Sequence, residues 1–270
     1  MSDRVLVSIA GGVADVRFNR PAKRNALDGD MFLAIAEAGE RLKTEPGVRA
    51  VVLSGEGPSF CAGLDFSGFR SMLDDGPADS RDSRGSPGQL VAGGITHLGQ
   101  QVAWVWQEVP VPVIAAVHGH ALGGGLQIAL GADIRLVHPD TQLSVREVHW
   151  GLVPDMTGTF VLSRLVRPDV ARELTFTARL FSGTEAVDLG LATRLSDDPH
   201  ADAMVLAAEI AARSPGAVRG AKELFNRLFT AGAADHLAAE RSVIGLQVGT
   251  PNQVEAVMAN MEKRAPRFAD

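Results

Sequence analysis

Cysteine is all but missing from this chain: Cys61 is the only one in 270 residues. Neither a disulfide framework nor a cysteine-ligated zinc site can form within a single chain on that count. Long apolar runs are missing as well, and none approaches the roughly 20 residues that a membrane span requires. Met1-Ser2-Asp3-Arg4 leads straight into strand-like Val5-Leu6-Val7, without the apolar stretch of a signal peptide. The expectation is a soluble, cytoplasmic protein with no membrane partner. Positive charge is in deficit, with a formal net charge of −6, which argues against a nucleic-acid partner although a local basic patch is still allowed. No Gly-x-Ser-x-Gly elbow and no His-Glu-x-x-His occurs, so serine-hydrolase and zinc-protease readings have no support. What remains is 46% hydrophobic and 21% charged, enough to bury a sizeable core in one large domain or in a core with a smaller unit.

Glycine, in contrast, is concentrated where it has consequences. Two glycine-rich turns each leave a short, β-branched, nearly uncharged run. Val48 to Leu53 precedes Phe60-Cys61-Ala62-Gly63-Leu64-Asp65, and Val113 to Val117 precedes His118-Gly119-His120-Ala121-Leu122-Gly123-Gly124-Gly125. Such runs read as strands buried on both faces. Glycine directly after them permits a tight turn and close approach of a ligand to the backbone amides. Two such turns brought together could aim two N–H donors at one oxygen, the arrangement of an oxyanion hole. Phosphate-loop readings fail on detail: Gly119 to Gly124 has the outer spacing, but Gly125-Leu126 stands where Lys-Ser/Thr is required.

Around these turns, Val5–Ile9 and Val13–Phe18 alternate across Gly11-Gly12 as a β-hairpin. Asp28 or Asp30 starts a helix carrying Met31, Phe32, Ile35, Ala38 and Leu42. Residues 71–88 shift to Asp, Ser, Gly, Arg and Pro and read as a mobile loop or lid. Gln89 to Glu108 reads as a helix stopped by Val109-Pro110-Val111-Pro112, Leu126 to Leu130 starts another, and Asp133 to His138 returns as a strand. From Pro199 onward every periodic segment is helical, so strands alternating with helices give way to a helical tail. No internal sequence repeat is visible.

The two turns, together with Asn19-Arg20-Pro21, Asn25-Ala26-Leu27 and Glu262-Lys263-Arg264, resemble the signatures of the crotonase superfamily, the enoyl-CoA hydratase/isomerase family. The resemblance implies an α/β fold, a crotonase-type spiral of repeated ββα units. It divides the chain into an acyl-CoA-binding catalytic core at 1–197 and a helical trimerisation region at 198–270. Homo-oligomers (a trimer or dimer of trimers) and an acyl-CoA substrate are implied, with no cofactor beyond the coenzyme A that the substrate carries and no metal.

Carried over residue by residue, the oxyanion-hole donors are the N–H groups of Leu64 and Gly124. Hydratases of this family use two glutamates; the later matches Glu147, whereas the earlier is replaced by Gln127. An amide has no titratable proton, so Gln127 is expected to hold a water or a carbonyl rather than act as acid or base. Asp155 matches a position where dienoyl-CoA isomerases place an acid, although they also carry Asp where this chain has Gln127. Plain alternatives are a surface salt bridge for Glu147 and a helix N-cap for Asp155.

For the substrate handle, the resemblance points to the backbone around Ala26 for adenine and to Lys23 and Arg24 for phosphates. It points also to Ala62, Asp65 and Gly123 of the turns, and to Lys263 and Phe268, which would reach the coenzyme A of a neighbouring subunit. His118 and His120 read as packing residues in preference to metal ligands, Trp104 and Trp106 as core or pocket packing, His149 and Trp150 as acyl-pocket candidates, and Cys61 as a buried thiol. The leading expectation is double-bond isomerisation through Glu147. Water addition, another enolate-forming reaction of a CoA thioester, and a non-catalytic acyl-CoA sensor or RNA-binding member are the alternatives.

Overall fold

The structure, a computed structural model, describes residues 3–65, 91, 94–228 and 250–269. Residues 71–88, read from composition as a lid, lie outside the described residues. The chain opens with the hairpin β1 (Val5–Ala10) and β2 (Val13–Phe18), then α1 (Gly29–Leu42) and β3 (Ala50–Gly55). Asp28 is the cap of α1, its carboxylate accepting from Met31 N–H at 2.9 Å. Next come α2 (Leu98–Glu108), β4 (Val113–Val117), β5 (His120–Leu122), α3 (Gly124–Leu130), β6 (Ile134–Val137) and β7 (Gln142–Ser144). They are followed by α4 (Gly158–Leu165), α5 (Pro168–Thr177), β8 (Phe181–Ser182), α6 (Gly183–Asp188), β9 (Arg194–Leu195), α7 (Pro199–Ala211), α8 (Pro215–Arg227) and α9 (Pro251–Met261). α2 starts later than its periodicity predicts because His97 caps it: the ring Nδ1 accepts from Gly99 N–H, and the Gln100 side chain accepts from His97 N–H. No helix among the described residues is long and apolar enough to cross a membrane.

A six-stranded sheet runs β1-β2-β3-β4-β6-β9, antiparallel at β1–β2 and parallel from β2 onward, beside a small sheet β5-β7-β8. β4 passes to β5 and then α3, and β6 passes to β7 and then α4. The ββα repeat is therefore carried by the backbone, although no sequence repeat announces it. β3 and β4 are buried on both faces, as their apolar runs predict. Val51, Leu53, Ala115 and Val117 enter the main core, while Val52, Ile114 and Ala116 point the other way.

That second face is covered by α7, whose Ala203, Ala207 and Ala211 present a small-residue stripe to the sheet. The boundary expected at 197/198 thus marks where strands cease, but the first helix of the tail is a layer of the same core. α8 is anchored as well. Lys222, 6% exposed, donates to the Trp106 and Val111 carbonyls at 2.9 and 3.0 Å and pairs with Asp133 at 2.8 Å. Burial pushes the Lys222 ammonium below its ordinary range, and the Asp133 charge opposes that fall. Lys222→Met takes the donor from two carbonyls and leaves the Asp133 carboxylate with the Val113 N–H but no counter-charge, and is expected to lower unfolding stability by about 3 kcal/mol, measured by urea denaturation.

Candidate active site

Because β3 and β4 pair in parallel, the turns that follow them leave the same end of the sheet, the carboxyl ends of its parallel strands. This is where ligands bind in open α/β sheets. The first turn is clamped by Asn25, fully buried, whose amide donates to the Glu56 and Ser59 carbonyls at 3.0 and 2.7 Å and accepts from Arg20 N–H at 2.7 Å. The turns are then stitched together. Phe60 N–H donates to the His118 carbonyl and Cys61 N–H to the His120 carbonyl, both at 2.9 Å, while Leu122 N–H donates to the Cys61 carbonyl at 3.1 Å.

Two N–H groups are left over at this junction. Leu64 bridges Leu27, with Leu27 N–H donating to the Gly63 carbonyl and Asp65 N–H to the Leu27 carbonyl. Alternation along an extended strand therefore turns the Leu64 N–H away from Leu27. Gly124 opens α3, where first-turn N–H groups have no intrahelical partner. Neither amide has a hydrogen-bond partner among the described residues, and both line one cavity. A Cβ built on Gly63 would lie 2.6 Å from the Leu122 carbonyl oxygen and 3.9 Å from Gly124 N, so the turns meet at Gly63 itself.

The cavity has a volume of about 690 Å³, ample for an acyl group. Glu147 lines it, at the head of a 3-10 turn (Glu147–Trp150), and is 8% exposed. Its Oε1 accepts from Gln127 Nε2 at 2.6 Å, while its buried Oε2 has no partner among the described residues. The surface-salt-bridge alternative for Glu147 is thereby removed. Burial holds the carboxyl above the ordinary carboxylate range; the Asp155 charge adds to the rise, and hydrogen bonds from backbone N–H groups and Gln127 oppose it. Asp155 stands exposed on the same cavity wall with no hydrogen-bond partner among the described residues. It is not a helix cap: Thr157 occupies that place at α4.

Other expected site residues go elsewhere. Gln127, expected to hold a water or a carbonyl, is 1% exposed and does not line the cavity; its amide is bonded to Glu147, Met156 and Gly158. Asp65 is likewise off the wall, because its carboxylate is paired with Arg20 at 2.5 Å. Ala62 and Gly123 do line the cavity. Lys23 and Arg24 are exposed beside the first turn, where the Arg24 carbonyl accepts from Ala62 N–H at 2.9 Å. Ala26 is buried there, its N–H given to the Lys23 carbonyl and its C=O accepting from Arg20. Lys263 is exposed, and the Phe268 carbonyl is held by Arg49, just ahead of β3 and at the opposite strand end from Gly63, so this chain does not bring that pair to its own cavity.

His118 bonds the Gly57 carbonyl at 2.8 Å and His120 bonds Ser59 Oγ at 2.9 Å, which spends both rings on packing the first turn. Burial pushes the Cys61 thiol up to about 12, so it is no nucleophile at neutral pH. Trp150 reaches the cavity wall but His149 does not, and Trp106 is core. Sequence reasoning missed the apolar wall made by Phe32, Leu152, Val153 and Met156. For Leu152 and Val153 the signal was the uncharged stretch between Glu147 and Asp155; Phe32 and Met156 lie outside it.

A sequence model described as Enoyl-CoA hydratase/isomerase matches residues 8–270. Among curated proteins, the chain is 33% identical over 257 residues to the peroxisomal Delta(3,5)-Delta(2,4)-dienoyl-CoA isomerase of Arabidopsis thaliana, covering 93% of this chain and 90% of that protein. It is 34% identical over 255 residues to a Bacillus subtilis protein named "Probable enoyl-CoA hydratase", covering 93% and 92%. Among solved structures, an enoyl-CoA hydratase from Bacillus anthracis superposes with a TM-score of 0.88 at 27% identity, over 98% of this chain and 99% of that one.

Proposed function

Since this chain belongs to the enoyl-CoA hydratase/isomerase family, we propose that it shifts a carbon–carbon double bond within unsaturated fatty acyl-CoA thioesters. The observation that carries this reading is one carboxylate with a free oxygen beside two free amides, while the side chain at 127 is a neutral amide turned away from the cavity. In a 3-enoyl thioester the carbonyl oxygen accepts from Leu64 N–H and Gly124 N–H, which makes the neighbouring carbon acidic. Glu147 takes a proton from C2, the charge moves onto the thioester oxygen as a dienolate, and the same proton returns at C4. No atom is gained or lost. Each preorganised donor is worth about a hundred- to a thousand-fold in rate. The raised Glu147 carboxyl suits a group that must both accept and return a proton.

Asp155, negatively charged on the same wall, is positioned to take part where the proton must travel further along a dienoyl chain. Lys23 and Arg24 are read as the phosphate contacts. Lys263 and Phe268 are read as contacts to a neighbouring subunit's coenzyme A, in a trimer or dimer of trimers; their distance from their own cavity supports that. Hydration of a 2-enoyl thioester is the second reading, favoured by relatives named as hydratases, with Glu147 then doing all proton transfer.

Incubating the protein with 3-enoyl-CoA and, separately, 2-enoyl-CoA tests the choice by product mass and absorbance. Isomerisation converts the first to a conjugated thioester of unchanged mass. Rapid, abundant gain of one water by the second, with the first left untouched, would overturn it.

A further inference from the structure

Gln127 is a buried polar side chain whose hydrogen bonds join Glu147 to the backbone just past Asp155. It lies on α3, and its partners lie 20 to 31 residues further along the chain. Its Nε2 donates to Glu147 Oε1 at 2.6 Å, and its Oε1 accepts from Met156 N–H at 2.9 Å and Gly158 N–H at 2.8 Å. We propose that Gln127 is a positioning residue that sets both cavity carboxylates at once, tying Oε1 of Glu147 so that Oε2 is its single working oxygen and holding the turn that carries Asp155. This inference rests on the proposed role of Glu147 as the proton carrier.

An amide suits the place. It needs one group that donates toward a carboxylate and accepts from two N–H groups, and glutamine does both without having to take up a proton first. A carboxylate there would accept from Met156 and Gly158 but would confront Glu147 at hydrogen-bond distance, where two carboxylates cannot both stay ionised. An apolar residue would leave the Met156 and Gly158 N–H groups unpaired and take the side-chain donor away from Glu147.

The surrounding chain is shaped to this amide. Thr157, the residue before α4, has φ +69° and offers no side-chain cap, so the Gln127 carbonyl oxygen serves as the cap of α4. Gly158 leaves room for that oxygen: a Cβ there would lie 2.5 Å from it. The other charged groups lining the cavity about Glu147 are Asp155 and Arg146, its chain neighbour, whose guanidinium is held at the Ala178 carbonyl at 2.9 Å. Gln127 is the side chain that donates directly to the Glu147 carboxyl.

The test uses the full chain with glutamate ¹³C-labelled at the carboxyl carbon, the Glu147 resonance being assigned by its loss in Glu147→Gln. Titration of that resonance and steady-state kinetics are compared between wild type, Gln127→Met and Gln127→Glu. Losing the donor in Gln127→Met should raise the Glu147 midpoint by about one pH unit. It should also lower kcat about 100-fold with KM within about threefold, because substrate held by remote contacts still binds while the base is misplaced. Gln127→Glu keeps the shape and the acceptor. It should show two coupled midpoints, the upper one above that of wild-type Glu147, and it decides the question if Gln127→Met does not fold. A Glu147 midpoint unchanged in either folded variant, or a kcat unchanged in folded Gln127→Met, overturns the proposal. Failure of wild type to turn over any unsaturated acyl-CoA would instead refute the reaction assigned above, while the titration still decides the role of Gln127.

Discussion

Glu147→Gln should reduce turnover of unsaturated acyl-CoA by about a hundred- to ten-thousand-fold while leaving the protein as stable as wild type, or more so, at neutral pH. The first half follows from Glu147 being the carboxylate with an unpartnered oxygen beside the two free amides, since a positioned acid–base group contributes about a hundred- to ten-thousand-fold. The second half follows from the direction of its titration. The folded state raises the Glu147 carboxyl above its ordinary value, mainly through burial. Between the unfolded and folded values the native state binds more protons than the unfolded state, so stability falls as pH rises through that window. Above it, the native state carries a charge that burial disfavours. Glutamine keeps the shape and an oxygen for Gln127 but is neutral. Melting temperatures of the two proteins should therefore converge as pH drops below the unfolded carboxylate value and separate, variant higher, above the folded one. A variant that keeps more than a tenth of wild-type kcat would remove Glu147 from the mechanism.

Gly63→Ala should be nearly as damaging, by a different route. Gly63 has φ +87°, a conformation that disfavours any Cβ, and its Cβ would sit 2.6 Å from the Leu122 carbonyl oxygen of the second turn. Both obstacles are backbone, so relief requires the turns to separate. The two amides that must converge on one oxygen would then diverge, with an expected loss in kcat/KM of about a hundred-fold or more and a loss in stability of about 2–3 kcal/mol. Leu64→Ala is the contrasting measurement: it removes a cavity-lining side chain but retains the N–H, so its effect should stay within about tenfold. If Leu64→Ala proved as damaging as Gly63→Ala, the Leu64 side chain, not its amide, would be what the site uses.

Several features were legible because the residues that create them are neighbours in the chain. The hairpin follows from alternation across Gly11-Gly12, α1 from Asp28 three positions before Met31, and the doubly buried β3 and β4 from their uncharged runs. The start of α2 was misplaced because the cap is made by a histidine, which cap preferences do not favour. The role of α7 in the core was not legible either: its alanines read as a generic helix until the sheet supplies a face for them to cover.

The amino-acid sequence alone determined the alternation of strands and helices and the two glycine turns, since each depends on sterics and patterning within a few residues; the candidate acid Glu147 came from the resemblance of its surroundings to the family's motif. Only the tertiary structure decided which polar groups remain free. Gln127 turned out to be occupied by Glu147, Met156 and Gly158, and Asp65 by Arg20, whereas Leu64 N–H, Gly124 N–H and one Glu147 oxygen were left open. A buried polar atom must find a partner, and which distant segment provides it depends on sheet register and helix packing. That allocation has no local signature in the chain.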